Sequence, residues 1–261
     1  DLILEILKPI WNTKTETASR LRGRIESVLS WATTCKYREG ENPARWRGHL
    51  DTQLAKPSKI KKEMHHAALP YKELPGFMRK LREHTGAAAS ALEFAILTAA
   101  RSGEVLGARW DEIDLEEGIW TIPTGRMKVR REHRVPLSDA ATAVVAKMQN
   151  EVQSDFVFPG TKEAKPLSNM SMLMVLRRMG RQDLTTHGFR STFRDWASET
   201  TAYPHEVCEM ALAHTITNKA EAAYRRGDLF DKRCRLMQDW ANYCASGIAS
   251  SGGVVPIRNR G

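Results

Sequence analysis

Among the Arg, Lys, His and Tyr side chains of this 261-residue sequence, Arg101, Lys128, His187, Arg190, His214 and Tyr224 lie in segments where phosphate chemistry can be weighed against packing or solvation. In THGFRSTFRDW, His187 and Arg190 lie three residues apart on one face of an expected helix that Thr186 can cap. A guanidinium presents a fork to phosphate oxygens, and an imidazole can donate or accept a proton beside it. A capping histidine with an exposed arginine fits the same residues. In TAARSGEVLGARW, Arg101 and Glu104 are also i,i+3, and alone they read as a solvated ion pair worth roughly 0.2–0.5 kcal/mol. His214 ends ALAHT, where a histidine commonly caps a helix C-terminus. Lys128 falls in or beside a hairpin turn among Arg126, Arg130, Arg131 and Arg134, and such a run is ordinarily a solvated face. Tyr224, in EAAYRRGDLF, is either a packing aromatic or a ring lying against phosphate, with Arg225 and Arg226 open to both uses.

Competing chemistries have less support. The sequence contains neither GxxxxGK[ST] nor GxGxxG, so nothing marks a nucleotide-binding loop. The acids of WDEIDLEEG (Asp111, Glu112, Asp114, Glu116, Glu117) suit two-metal phosphoryl transfer in type, but read as a surface turn between a helix and a strand. His65–His66 lack any further ligand pattern, and MSMLMVLRRM reads as core filling. Cys35, Cys208, Cys234 and Cys244 form no CxxC pair and are expected to be buried free thiols.

The elements that must position these groups are mostly helical. TETASRLRGRIESVLSWATT (15–34) repeats Leu21, Ile25, Val28, Leu29 and Ala32 at helical spacing, with Arg20 and Arg24 one turn apart on another face. Residues 36–50 break that pattern, and KPSKIKKEMHH (56–66) reads as a basic linker. A second unit follows from Ala67. It has expected helices at 74–84 and 90–100, an antiparallel hairpin of IWTIP (119–123) and REHRVPL (131–137), then a helix that Ser138 caps. Further helices are expected at 169–179, 187–200, 205–214 and 229–244, before a Gly/Ser-rich tail at 246–261. The fold class is therefore mainly α with a small antiparallel β-sheet. The chain carries 40 Lys+Arg against 31 Asp+Glu, a net charge of +9, which favours an acidic partner such as nucleic acid. Residues 1–66 hold 13 and 8 of these, over half the surplus, which suggests a small basic module joined to a larger one. No apolar run approaches the roughly 20 residues of a membrane span. Opening at Asp1 without Met, the chain reads as a piece lacking an N-terminal portion.

Taken singly these signals are weak, but their order is specific. Arg with Glu three on, a hairpin Lys, His-x-x-Arg, a His after an apolar helix and then a Tyr together resemble the tyrosine recombinase (phage integrase) family, most of all the integrases of prophages and genomic islands. RIESVLSWA with ENPARW is similar to that family's core-binding domain, HHAALPY to the start of its catalytic domain, and YRRGDLFDKRCRLMQDWA to its nucleophile region. The resemblance implies a core-binding domain over 1–55 that is shortened at its start, a linker over 56–66, a catalytic domain over 67–245 and a flexible tail. The family's N-terminal arm-binding domain has no counterpart in the sequence. It further implies that Tyr224 attacks a DNA phosphodiester to give a 3′-phosphotyrosine, that Arg101 and Arg190 clamp the phosphate, and that His187 handles the tyrosine proton. His214 would hydrogen-bond the phosphate, Lys128 would protonate the leaving 5′-oxygen, and Glu104 would orient a catalytic neighbour. No metal or other cofactor is implied. The partners would be double-stranded DNA attachment sites, a homo-tetramer on DNA and DNA-bending accessory proteins, with no membrane, in the bacterial cytoplasm. Arg20, Arg22 and Arg24 are the candidate DNA-facing residues of the first module. A topoisomerase of the same cleavage chemistry and a DNA-binding remnant are the alternatives. The integrase-like first module weighs against one, and the intact Arg–Lys–His–Arg–His–Tyr set against the other.

Overall fold

Two helices open the chain, α1 (Leu2–Trp11) and α2 (Thr15–Thr34). The sequence pattern does not announce α1, because Pro9 lies inside it and lacks the N–H of a helical residue. It forms nonetheless because Ile3, Leu4, Leu7 and Trp11 fall on one face and are buried with Ala18, Ala44, Leu50 and Leu54. Trp11 stacks on Trp46 at 5.6 Å and donates its indole N–H to the Ala55 carbonyl at 2.8 Å. Leu21, Ile25 and Leu29 of α2 pack on this core as their spacing predicts, whereas Val28 points outward. A short α3 (Pro57–Ile60) follows, with Ile60 against the same core. The computed structural model describes residues 2–60, 67–127, 131–151, 154–162, 165–214 and 227–247, and the chain divides into the units Asp1–His65 and His66–Gly261. Lys128, Tyr224, Arg225, Arg226 and His65–His66 therefore lie outside the described residues.

The second unit is built around a helix buried on every side. In order come α4 (Leu74–Arg82), α5 (Ala87–Thr98), α6 (Ser102–Leu106), β1 (Ile113–Asp114), β2 (Ile119–Ile122), β3 (His133–Pro136), α7 (Asp139–Glu151), α8 (Ser171–Arg178), α9 (Gly188–Thr200), α10 (His205–Ala211) and α11 (Phe230–Ala245). In α5, nine residues from Ala89 to Thr98 are buried, so the helix has no solvated stripe and must run through the core. α4, α7, α8, α9 and α11 pack around it. Trp240 of α11 is fully buried against Phe193 (5.3 Å) and Trp196 (4.9 Å) of α9 and donates to the Ile96 carbonyl of α5 at 2.8 Å. Ser138 accepts from the Ala141 N–H at 3.3 Å and so caps α7 as expected.

The sheet has three antiparallel strands in the order β1-β2-β3, one more than the expected hairpin. β2 alternates, with Trp120 and Ile122 inward and Ile119 and Thr121 half-exposed. Its register sets Trp120 opposite Val135 and Ile122 opposite His133. The acidic turn is not wholly a surface feature. Asp114 accepts from the N–H groups of Glu116 and Glu117 on the outside, but the half-buried Glu112 accepts from the Trp120 indole at 3.1 Å and faces Arg126 at 3.3 Å. Of the cysteines, Cys208 and Cys244 are buried, Cys234 is half-buried, and Cys35, against expectation, is exposed at the end of α2. Among the described residues, no helix is long and apolar enough to cross a membrane.

Candidate active site

Arg101, Arg190 and His214 come together where four helix ends meet. α5 stops because Ala99 takes a left-handed conformation (φ 49°), and Arg101, in extended backbone, then starts α6. Its own N–H donates to Glu104 Oε2 at 2.8 Å and its guanidinium to Glu104 Oε1 at 2.8 Å. The pair is thus a half-buried arginine on a buried carboxylate rather than the solvated pair that spacing alone suggests. Glu104 thus holds Arg101 at its backbone N–H and at one arm of its fork.

Arg190 projects from the first turn of α9. That helix can begin where it does because residue 188 is glycine: a Cβ there would lie 2.1 Å from the Ala67 carbonyl oxygen. Thr192 donates to the Leu69 carbonyl at 2.6 Å and ties the same strap to the helix. Thr185, not the expected Thr186, caps the helix, accepting the Gly188 N–H at 3.0 Å. His187 stands exposed at this N-terminus, one turn from Arg190.

Arg190 is buried, and buried charge needs compensation. Its guanidinium donates to the Ala99 carbonyl, to the Leu212 carbonyl at 2.6 Å and to His214 Nε2 at 3.2 Å. Burial, and then the charge of Arg101, pull it down to about 10, so it stays charged at neutral pH. Arg101 reaches the next carbonyl along, that of Ala213, at 3.1 Å. Leu212 and Ala213 form the C-terminal cap of α10, where Ala213 is left-handed (φ 49°) and the His214 N–H returns to the Glu209 carbonyl at 3.0 Å. The last carbonyls of a helix lack internal partners and carry its negative dipole end, which suits two cations. A left-handed alanine costs roughly 1–2 kcal/mol, and here two of them aim carbonyls at the arginines.

His214 Nδ1 donates to Glu209 Oε2 at 2.7 Å while Nε2 accepts from Arg190, a pairing that fits the Nδ1–H tautomer. Glu209 also accepts from Arg194 Nε at 2.6 Å. Burial pushes the Glu209 carboxyl up, but the hydrogen bonds from His214 and Arg194 outweigh it and hold the group below its usual range. Among the described residues, two N–H of Arg190 and three of Arg101 remain without a partner. Five such donors on two held cations are of the type that recognition of a tetrahedral anion uses.

Neighbouring groups had no sequence signal pointing to the site. Arg126, expected in a solvated run, donates to the Glu104 carbonyl at 2.9 Å and packs so tightly on Gly107 that a Cβ there would sit 2.8 Å from Nη1. Arg233 of α11 is fully buried. It donates to the Asp228 carbonyl and carboxylate, both at 2.8 Å, and to the Arg134 carbonyl at 2.5 Å. Glu209 and His214 are five apart, off the helical neighbour spacing, and Arg194 reaches Glu209 from another helix. Only tertiary packing brings these together. β3 shows no inward–outward alternation in its burial, so the position of His133, opposite Ile122, follows from its pairing with β2.

In the first unit, the three arginines expected to face DNA differ. Arg20 is exposed and paired with Glu16 at 2.7 Å, and Arg24 is exposed on the same face. With Gly23, Ser27 and Val28 they line an open depression. Arg22 turns the other way, donating to Glu26 at 2.5 Å and to the Ala44 carbonyl at 2.9 Å, with its guanidinium 5.6 Å from the Trp46 ring.

Comparison with known proteins gives concordant matches. The model of the phage integrase family matches residues 68–228, and that of the phage integrase central domain matches residues 1–49. The chain is 34% identical over 254 residues to the prophage integrase IntZ of Escherichia coli (strain K12), covering 96% of this chain and 61% of that protein. It is 30% identical over 262 residues to the integrase of Enterobacteria phage P4, covering 93% of this chain and 58% of that one. The chain thus spans about six-tenths of the length of these relatives. In fold it is similar to a lambda integrase solved as a tetramer bound to a Holliday junction (TM-score 0.61, 17% identity, 83% of this chain and 64% of that one).

Proposed function

The chain belongs to the phage integrase family, and from that premise we propose that it is a tyrosine-type site-specific recombinase that cleaves and rejoins duplex DNA to integrate or excise a mobile element. The observation that carries this reading is the convergence of Arg101, Arg190 and His214 on the carbonyl ends of α5 and α10, with donors to spare for a phosphate. A fixed pair of cations stabilises the charge that builds on the non-bridging oxygens as the phosphorus becomes five-coordinate. In this reading the Tyr224 oxygen forms the new bond to phosphorus, and the bond to the 5′-oxygen breaks. His187 takes the phenol proton and Lys128 supplies one to the leaving oxygen. A phenol with a pKa of about 10 needs such neighbours to react at neutral pH. Glu104 acts through Arg101, and Glu209 through His214. Because the phosphotyrosine conserves the phosphodiester bond energy, the reverse step reseals the strand without ATP.

The test is a nicked suicide duplex carrying the attachment site, incubated with the protein in EDTA. The expected product is a covalent protein–DNA adduct that is absent with Tyr224→Phe. An adduct that persists in that variant, or that appears only with Mg²⁺, overturns the mechanism. Strand exchange between two specific sites, as opposed to relaxation of any supercoiled plasmid, distinguishes the recombinase from a topoisomerase. Tetramer assembly is expected on the attachment site and is read by the mass of the protein–DNA complex.

A further inference from the structure

Arg190 and Arg194 stand one turn apart on one face of α9, and both reach across to α10 and its cap. There they close a ring of four side chains. Arg190 Nη2 donates to His214 Nε2 at 3.2 Å, His214 Nδ1 to Glu209 Oε2 at 2.7 Å, and Arg194 Nε to Glu209 Oε1 at 2.6 Å. Ser198, a further turn along α9, accepts from Arg194 Nη1 and donates to the Arg194 carbonyl at 2.8 Å, which braces the second arginine on its own helix. Binding of a phosphate by Arg190 and His214 leaves Arg194 without a task. We propose that Arg194 is a positioning residue of this site: it turns the Glu209 carboxylate so that Oε2 meets His214 Nδ1, which fixes the Nδ1–H tautomer and keeps the Nε2 lone pair for Arg190. The proposal rests on the reading in which Arg101, Arg190 and His214 bind the scissile phosphate.

Which nitrogen of a neutral imidazole carries the proton is set by the hydrogen bond that the other one makes. A carboxylate only accepts, so Glu209 requires an N–H at Nδ1. A guanidinium only donates, so Arg190 requires a lone pair at Nε2. The two demands agree only while the carboxylate faces the ring. With the proton on Nε2 instead, two N–H groups would meet head-on across the 3.2 Å contact and oppose the hold of the Ala99 and Leu212 carbonyls on Arg190. Glu209 is half-buried, and the other nitrogen near its Oε1, His205 Nε2 one turn back on α10, lies at 3.7 Å, beyond hydrogen-bond reach. Arg194, pinned by Ser198, therefore supplies the second point that holds a planar carboxylate in one orientation. A carboxylate on one ring nitrogen that selects the tautomer needed at the other is the device hydrolytic triads use.

Three variants, read by NMR and by kinetics, test this. The ring nitrogen shifts of His214 in the DNA-free protein at about pH 8.5, assigned with His214→Gln, report the tautomer without reference to activity. The Nδ1–H form is expected in the parent and in Arg194→Lys, which keeps a cationic donor. Arg194→Met, of similar length but without a donor, is expected to show a mixture with the Nε2–H form. Glu209→Gln should show mainly the Nε2–H form, because its one oxygen turns to Arg194 and its amide N–H then faces the ring. In single-turnover adduct formation Arg194→Lys is expected to stay within about threefold of the parent, and Arg194→Met and Glu209→Gln to lose at least about tenfold, all with duplex affinity within about threefold. Equal rates for the Lys and Met variants, or an Nδ1–H ring retained in Arg194→Met, overturn the proposal. So does an Nδ1–H ring in Glu209→Gln, which would mean that the amide oxygen turns to His214 in spite of Arg194; that near-isosteric variant decides the matter if Arg194→Met does not fold. Failure of the parent to form any adduct, with the tautomers as expected, instead removes the recombinase reading and leaves the hold of Arg194 on the ring.

Discussion

Arginine is used in opposite ways in the two units. On α2, Arg20 pairs with Glu16 one turn away on its own helix, both side chains exposed at 73% and 64%. Beside α10, Arg190 is buried and held by the carbonyls of Ala99 and Leu212, 91 and 22 residues distant in sequence. The first arrangement is worth a fraction of a kcal/mol and leaves the side chain free to swing toward any phosphate. The second removes rotamer freedom in advance, which is what the proposed cleavage would need where charge develops on a phosphate. Mobile cations suit sequence-independent backbone contacts, and fixed ones suit a transition state.

That contrast can be broken most severely at Arg190. Arg190→Ala is expected to lower adduct formation at least a thousandfold while leaving duplex affinity within a few-fold. Loss of all binding in a folded variant would make Arg190 an anchor instead. The next effect is on stability. Arg233→Met leaves the partly buried Asp228 carboxylate without its main cation and is expected to cost about 3 kcal/mol in urea unfolding. A loss below about 1 kcal/mol would place that guanidinium with the exposed kind.

Glu209→Gln sharpens the comparison through pH. The folded carboxyl lies below its usual range, so its contribution is present above the unfolded pKa of about 4.3 and is lost as pH falls through the folded value. The variant should therefore lose about 1 kcal/mol at neutral pH and show a flatter stability profile than the parent below pH 4.5. Matching acid limbs would mean that Glu209 holds no net advantage as a carboxylate. The smallest effects belong to α2. Arg22→Ala, which forfeits the Ala44 carbonyl and the Trp46 ring, should cost about 1–2 kcal/mol. Arg20→Ala should leave stability within about 0.5 kcal/mol but reduce the salt slope of DNA binding by about one. If the two substitutions behave alike, the faces of α2 are not divided as described.

The long helices and the hairpin were legible because their patterns repeat over several turns: 15–34 became α2, and 187–200 became α9 after one residue. Exceptions have local causes. α1 was hidden by Pro9, and β1 is only two residues long and has meaning only when paired with β2. The order of Arg101, Glu104, His187, Arg190 and His214 could be read as a set, but what each does with its hydrogen bonds could not. Arg22 and Arg20 look alike in sequence and face apart, since two residues on a helix are separated by about 200°.

The sequence by itself determined the long helices other than α1, which types could handle a phosphate and to which family the chain belongs, because periodicity, composition and motif order are properties of neighbours along the chain. Only the tertiary structure decided that Ala99, Leu212 and Ala213, residues with no reactive side chain, hold the cations in place. A backbone carbonyl carries no residue type, and where it points depends on how a helix ends and on what packs against that end.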